Sequence, residues 1–167
     1  NKIAKLFHVN QSLMKILHLS FYFLLLSLTT MAQVNKKFIN PYGNKPPGYT
    51  HVVATEAGTT LYISGQVPVN QAGQLVGEKD LKAQTIQVYE NLLFCLRSAG
   101  ATFEDVVKMN TYVVNYKPSD IEIIREVRKG YLSKENPPAS TLVGVQALVS
   151  PDFLIEIEAI AVIPNKK

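Results

Sequence analysis

The chain has 167 residues, of which 47% are hydrophobic, and a formal net charge of +4. This is enough apolar material for one globular domain with its own core. Residues 1–32 contain three lysines and no acidic residue, so the remainder has 14 basic against 13 acidic side chains. It has no basic run longer than two residues, as in Lys36-Lys37, so it offers no stripe for a phosphate backbone, which argues against a nucleic-acid partner.

Residues 14–32 predict export. From Met14 the sequence MKILHLSFYFLLLSLTTMAQ has one lysine, an apolar run and small residues before a cleavage point, the pattern of a secretory signal peptide. The apolar run has about a dozen residues, against the roughly 20 that a spanning helix needs. We therefore expect cleavage after Ala32, no lasting membrane anchor, and a periplasmic or secreted protein. Residues 1–13 are interpreted as an upstream extension of uncertain status.

Residues 33–49 are rich in Asn, Lys, Pro and Gly, so an irregular lead-in is predicted over residues 33–45, before the domain. Strands are predicted next at His51–Thr55 and Thr59–Ser64, with a short turn between them. Gly65 interrupts the second strand pattern, so it indicates either a structural bulge or a place where a ligand approaches the backbone. Cys95 is the only cysteine and His51 the only histidine after residue 32, so neither a disulfide nor a transition-metal site is expected.

Apolar residues at helical spacing predict a first helix from Asp80 to Ala99, with Asp80 as its N-cap and Gly100 as a left-handed residue beyond its end. A strand is predicted over 106–114. A second helix is expected to begin at Ser119-Asp-Ile-Glu122, which has the form of a capping box.

Pro137-Pro138 stops the second helix, and the last two strands are predicted at Ala139–Leu148 and Phe153–Ile163. The order β-β-α-β-α-β-β predicts a single α+β domain with two helices on one face of a mixed sheet. In the final strand Glu156 and Glu158 point to one face and the apolar residues to the other. The two carboxylates indicate either a solvated sheet face or a cleft in which one of them handles a proton.

Four short motifs occur along this domain, one after another. They are Ser64-Gly65-Gln66-Val67-Pro68, Ala99-Gly100 followed by Asp105-Val-Val-Lys108, Asn136-Pro137-Pro138-Ala139, and Ile155-Glu-Ile-Glu-Ala-Ile-Ala161. In order and spacing they resemble the RidA/YjgF family, whose members are labelled enamine/imine deaminases and, in older usage, L-PSP endoribonucleases. The resemblance covers a domain over residues 46–163.

The resemblance implies a chorismate-mutase-like α+β fold, about six strands, and a homotrimer around a central barrel with a small-molecule site in each cleft between subunits. It implies no cofactor and no metal. The water-orienting glutamate is matched by Glu156, and the loop tyrosine beside the substrate by Tyr49. Ser64 and Gly65 match the family's cradle, and Leu142 matches the residue whose backbone faces the substrate.

Ser140 departs from the family pattern. In deaminating relatives an arginine that clamps the substrate carboxylate directly follows Pro-Ala, and here that place holds Ser140, beside Thr141. The chain is therefore predicted to bind, and in one reading to hydrolyse, a small molecule other than the usual 2-imino acids. Two alternatives stay open: a 2-iminobutanoate/2-iminopropanoate deaminase in which Lys117 or another subunit supplies the cation, and a non-enzymatic binding or holdase-like envelope protein. Ribonuclease activity has no basic groove or histidine pair to support it.

Overall fold

The computed structural model describes residues 34–43 and 45–165. The predicted signal peptide and upstream extension lie outside the described residues. In chain order the elements are β1 Lys36–Ile39, β2 Val52–Thr55, β3 Thr59–Gln66, α1 Leu81–Ser98, a 3-10 turn Phe103–Asp105, β4 Val106–Val114, α2 Asp120–Arg128, β5 Ala139–Val145 and β6 Ile155–Ile163.

The main sheet has four strands in the order β3-β6-β4-β5. The β3/β6 and β6/β4 pairs are antiparallel and the β4/β5 pair is parallel, so the sheet is mixed. β1 and β2 form a separate two-stranded antiparallel sheet. The predicted α+β class, with two helices on a mixed sheet, is confirmed, and the six strands are divided four and two.

Helix α1 follows its sequence signals closely. The Asp80 carboxylate accepts hydrogen bonds from the backbone N–H groups of Lys82 and Ala83 at 2.9 and 3.1 Å, satisfying donors that the helix leaves unpaired. The helix ends at Ser98, and Gly100 follows with φ +75°. Its apolar stripe packs on the sheet, where the buried side chains of β6 alternate with partly exposed ones.

One buried polar side chain ties α1 to the start of β6. Gln84 is fully buried, and its amide nitrogen donates to the carbonyl oxygens of Gly77 and Asp152 at 3.1 and 2.9 Å. Its amide oxygen accepts from Leu154 N at 2.8 Å. The segment immediately before β6 is thereby fixed, which sets where the residues of that strand begin.

Two details of the sequence prediction are wrong. The lead-in over 33–45 contains a strand, β1, whose four residues pair with β2. Ser119 makes no side-chain cap, because its own backbone is already helical at φ −65° and ψ −27°, whereas a capping residue needs an extended backbone. Asp120 closes this turn instead, since its carboxylate accepts from Lys117 N at 2.8 Å.

The last strands are also shorter than predicted: β5 ends at Val145 and β6 begins at Ile155. Within the described ranges, no helix combines the length and apolar character that crossing a membrane requires.

Candidate functional site

Glu156 and Gly65 lie against each other on neighbouring strands. The β3/β6 register shifts between Ile63 and Gln66, so the bulge, one of the two interpretations of Gly65, is present. A Cβ atom at residue 65 would lie only 1.8 Å from Oε1 of Glu156. The Glu156 carboxylate therefore occupies the space that a side chain on residue 65 would fill, and the bulge at Gly65 packs against this carboxylate.

Glu158, two residues along the same face, has a different environment. Its Oε1 accepts hydrogen bonds from Asn110 Nδ2 at 2.6 Å and from the Tyr112 hydroxyl at 3.0 Å. By contrast, no hydrogen bond to the Glu156 carboxylate comes from residues 34–43 or 45–165. Glu158 is held in a side-chain network, whereas Glu156 has its acceptor sites free for a ligand or a water molecule.

The electrostatics of Glu156 suit proton transfer. Burial raises the pKa of Glu156 above its usual value, and the negative charge of Glu158 raises it further. A carboxylate with a raised pKa holds a proton closer to neutral pH, which is what a general acid or base needs. The hydrogen bond to Glu158 raises the pKa of Tyr112, so this phenol stays a donor.

A groove of about 320 Å³ runs along this open face of the sheet. Its polar lining includes Ser64, Lys108, Asn110 and Glu158. The ammonium group of Lys108 donates to the Thr141 hydroxyl at 2.6 Å. Burial lowers the pKa of Lys108, and the nearby Glu158 partly opposes this shift. The groove thus places the Lys108 cation close to the Glu158 carboxylate.

Sequence reasoning missed Lys108, Asn110 and Tyr112 as members of this polar face. The signal was present, because these residues alternate along β4 with the buried Met109, Thr111 and Val113. Their register partners in β6 are Ile160, Glu158 and Glu156, so the strand pairing brings the polar residues of β4 beside the two glutamates.

Tyr49 lies at the other edge of the sheet. Its loop is attached to the start of β5, since Thr50 N donates to the Pro138 carbonyl at 3.1 Å and the Thr50 hydroxyl to the Pro137 carbonyl at 2.7 Å. The Tyr49 ring stacks edge-on against His51, with centroids 5.3 Å apart. The loop tyrosine is thus placed beside the strand that carries Ser140.

Ser140 and Thr141 are adjacent in sequence but lie on opposite faces of the sheet. Ser140 is paired with the buried Met109, so it points to the helix-covered face, whereas Thr141 is paired with Asn110 and belongs to the open face. The side chain of Leu142 packs against the hydrophobic core. Consecutive strand residues alternate in direction, which is why the two hydroxyls separate.

The predicted site residues therefore form two groups. Ser64, Gly65 and Glu156 lie on β3 and its neighbour β6, while Tyr49, Ser140 and Leu142 lie at the β5 edge. Strands β3 and β5 are three strand spacings apart, about 14 Å. One chain does not bring the two groups together. Lys117 is exposed in the loop after β4, in neither group.

No metal site accompanies these groups: within residues 34–43 and 45–165, no cluster of three or more His, Cys, Asp or Glu side chains is arranged to hold an ion.

Residues 43–163 match the protein family described as Endoribonuclease L-PSP. The 3-aminoacrylate deaminase RutC of Acinetobacter baylyi is 35% identical over 126 residues, covering 75% of this chain and 97% of RutC. The 2-iminobutanoate/2-iminopropanoate deaminase of Dermatophagoides farinae is 32% identical over 110 residues, covering 66% of this chain and 83% of that protein.

Solved structures of the same family are also similar to this chain. The Rid-family protein YyfB of Yersinia pestis matches with a TM-score of 0.70 and 45% identity over 77% of this chain and 99% of its own. RidA from an Antarctic Psychrobacter matches with a TM-score of 0.57 and 36% identity over 69% of this chain and 88% of its own. The chain belongs to the RidA/YjgF family.

Proposed function

We propose that this protein hydrolyses a small imine or enamine in a cleft between subunits, with Glu156 acting on the attacking water. The observation that carries the proposal is the environment of Glu156, whose carboxylate is set into the gap at Gly65 with free acceptor sites and a raised pKa. Two relatives named as deaminases support this class of reaction.

In the proposed reaction the Glu156 carboxylate accepts a proton from water as the oxygen attacks the imine carbon. The proton then passes to the nitrogen, the C–N bond breaks, and ammonia leaves as the carbonyl forms. One imine and one water give one carbonyl compound and one ammonia. Ser64 precedes Gly65 on β3 and lines the groove beside Glu158, where its hydroxyl would help to orient the substrate.

The proposed assembly is a homotrimer. The two groups of site residues lie at opposite edges of the same sheet, so a β5 edge from one subunit must approach the β3 edge of the next for the site to be complete. Closing three sheets into one ring would also remove the free strand edges. Tyr62, 81% exposed on β3, and Val143, 43% exposed on β5, support such a contact on the open face.

The proposed substrate is less acidic than a 2-imino acid. A guanidinium that grips a carboxylate makes two charge-assisted hydrogen bonds, together about 2–5 kcal/mol when desolvated. Ser140 provides no charge in that place. A 2-imino acid therefore loses the cation that would bind its carboxylate, whereas an imine that has a neutral carboxamide in place of the carboxylate loses no such interaction.

The second candidate is a 2-iminobutanoate/2-iminopropanoate deaminase with a relocated cation. The name of the Dermatophagoides farinae relative favours it. Lys108, which sits beside Glu158 in the groove, is better placed for this role than the exposed Lys117.

We further propose that the protein is exported and acts in the periplasm or outside the cell after cleavage behind Ala32. The apolar run and small residues of the segment 14–32 support this. Mass spectrometry of the purified native protein tests it, since a chain that begins at Gln33 is expected and an intact segment 14–32 would contradict it.

Ammonia release tests the proposed chemistry. The substrates are 2-iminobutanoate, formed in situ by an amino-acid oxidase, and its neutral carboxamide analogue. We expect faster turnover of the carboxamide by the parent protein and loss of both activities in E156Q. If neither substrate is hydrolysed, and neither raises the melting temperature, a non-enzymatic role replaces this proposal.

A further inference from the structure

A small cavity bordered by basic residues lies beside α2, on the helix side of the domain and away from the open face that carries Glu156. Its volume is about 120 Å³, enough for one small oxyanion or about four water molecules. Six of its lining residues carry the argument: Gly48, Arg125, Arg128, Lys129, Ser133 and Lys134.

The unusual group in this cavity is the Arg128 guanidinium. Its Nη2 atom is buried and has no hydrogen-bond partner in the part of the chain that the structure describes. A buried donor without a partner costs about 1–3 kcal/mol, and more when the group is charged. Gly48 lies close over it, since a Cβ there would be 3.5 Å from Nη2. The guanidinium is therefore positioned without being neutralised.

The charged residues that line the cavity are all basic. Four of the described lining residues are basic and none is acidic. Arg125 is paired with Glu122 at 3.1 Å, whereas within the described residues Arg128, Lys129 and Lys134 form no ion pair. Burial lowers the pKa of Arg128, and the neighbouring Arg125 lowers it further while Tyr89 opposes. The charged form is thus held at a cost that a bound anion would offset.

A neutral donor completes the cavity. The Ser133 hydroxyl oxygen accepts from the backbone N–H groups of Glu135 and Asn136 at 3.2 and 3.1 Å. Because both bonds use the oxygen as acceptor, the hydroxyl proton remains available to a ligand. A carboxylate or phosphate offers the acceptor oxygens that Nη2, Ser133 and the lysines lack.

From this geometry we propose that the cavity at Arg128 is an oxyanion-binding site, separate from Glu156 and from the groove beside Glu158, which takes the carboxylate or phosphate group of a small metabolite. Pro137 also lines it, three residues before Ser140, but Ser140 does not. The site therefore does not restore the missing clamp in the same chain. Its failure would leave the proposed imine hydrolysis unaffected.

Calorimetric titration at low ionic strength tests the site, with inorganic phosphate and acetate as probes and sodium chloride at matched ionic strength as the reference. We expect phosphate or acetate to bind where chloride does not, and R128Q to weaken binding by about tenfold or more, the loss of one charge-assisted hydrogen bond. R97Q, on the exposed end of α1, should leave the affinity unchanged. Tighter binding of phosphate than of acetate would indicate a phosphorylated ligand, and the reverse a carboxylic acid.

The proposal is overturned if neither probe binds, or if R128Q binds as the parent does. Should R128Q fail to fold, the double variant K129Q/K134Q removes two exposed charges and keeps the buried guanidinium. It must weaken binding of the same probe by at least about threefold, the effect of two partly screened charges. Unchanged affinity in that variant would equally overturn the site.

Discussion

The Glu156 carboxylate fills the space where a side chain on residue 65 would begin, with Oε1 only 1.8 Å from the position of a Cβ atom on Gly65. The bulge in β3 and the ionisable Glu156 on β6 thus belong to the same site. Because the space fits the carboxylate, its position depends on residue 65 as much as on its own strand.

Gly65→Ala is expected to displace the Glu156 carboxylate while leaving the fold intact, since the atoms it meets belong to a side chain that can swing away. A shift of about 1 Å in a reacting group can reduce turnover by roughly a hundredfold, so ammonia release should fall by at least about tenfold. Gly130→Ala is the matched control, because its added Cβ makes only an ordinary 3.4 Å contact with Val127 O. Full activity in G65A would show that the carboxylate position does not matter.

Replacing Glu156 and replacing Glu158 with glutamine should have different effects on kcat. Glu156→Gln removes a general base with free acceptor sites, and kcat is expected to fall by about 10²- to 10⁴-fold. Glu158→Gln keeps an acceptor for Asn110 and Tyr112 and should change kcat by less than about tenfold. Steady-state kinetics of the two variants decide this, and a larger loss in E158Q would reverse the assigned roles.

The raised pKa of Glu156 also has a stability consequence. The folded protein keeps this proton at higher pH than the unfolded chain does, so stability falls as the pH rises from about 4.5, the ordinary value, through the folded pKa. Glu156→Gln removes that loss. Its melting temperature should therefore exceed that of the parent near neutral pH, and the difference should vanish below about pH 4. A variant less stable than the parent at neutral pH would contradict the direction of the shift.

Gln84→Leu should destabilise the domain by about 2–4 kcal/mol, because it leaves Leu154 N and two carbonyl oxygens without their buried partner. Urea unfolding measures the change. Gln87→Leu on the same helix serves as the control, since among residues 34–43 and 45–165 its amide bonds only the Asn91 side chain. Equal stability of the two variants would mean that Gln84 does not fix the entry to β6.

Local signals predicted much of this fold. The Asp80 cap, the left-handed Gly100 and the apolar faces of α1 and β6 depend on neighbours in sequence, and all are confirmed. The strand β1 was missed because four residues carry too short an alternation, and its pairing with β2 is a tertiary contact. The predicted cap at Ser119 is wrong because the backbone of this serine is already helical, although serine is a residue type that commonly caps helices.

The site was harder to predict, because it depends on strand order. Glu156 and Gly65 are far apart in sequence, and only the β3/β6 register shows that one occupies the space left by the other. The separation of Ser140 from Thr141 follows from alternation, yet the face that each occupies required the β4/β5 register. No sequence signal marks the Arg128 nitrogen that lacks a hydrogen-bond partner within the described residues.

The most direct test of the account compares ammonia release from 2-iminobutanoate by the parent, Ser140→Arg, and the double variant S140R/E156Q. A restored clamp is worth about 2–5 kcal/mol, so S140R should be faster than the parent by at least about tenfold, and adding E156Q should abolish the gain. A parent as fast as S140R, or a gain that survives the loss of Glu156, would contradict an imine-hydrolysing cleft that depends on Glu156 and lacks only its clamp.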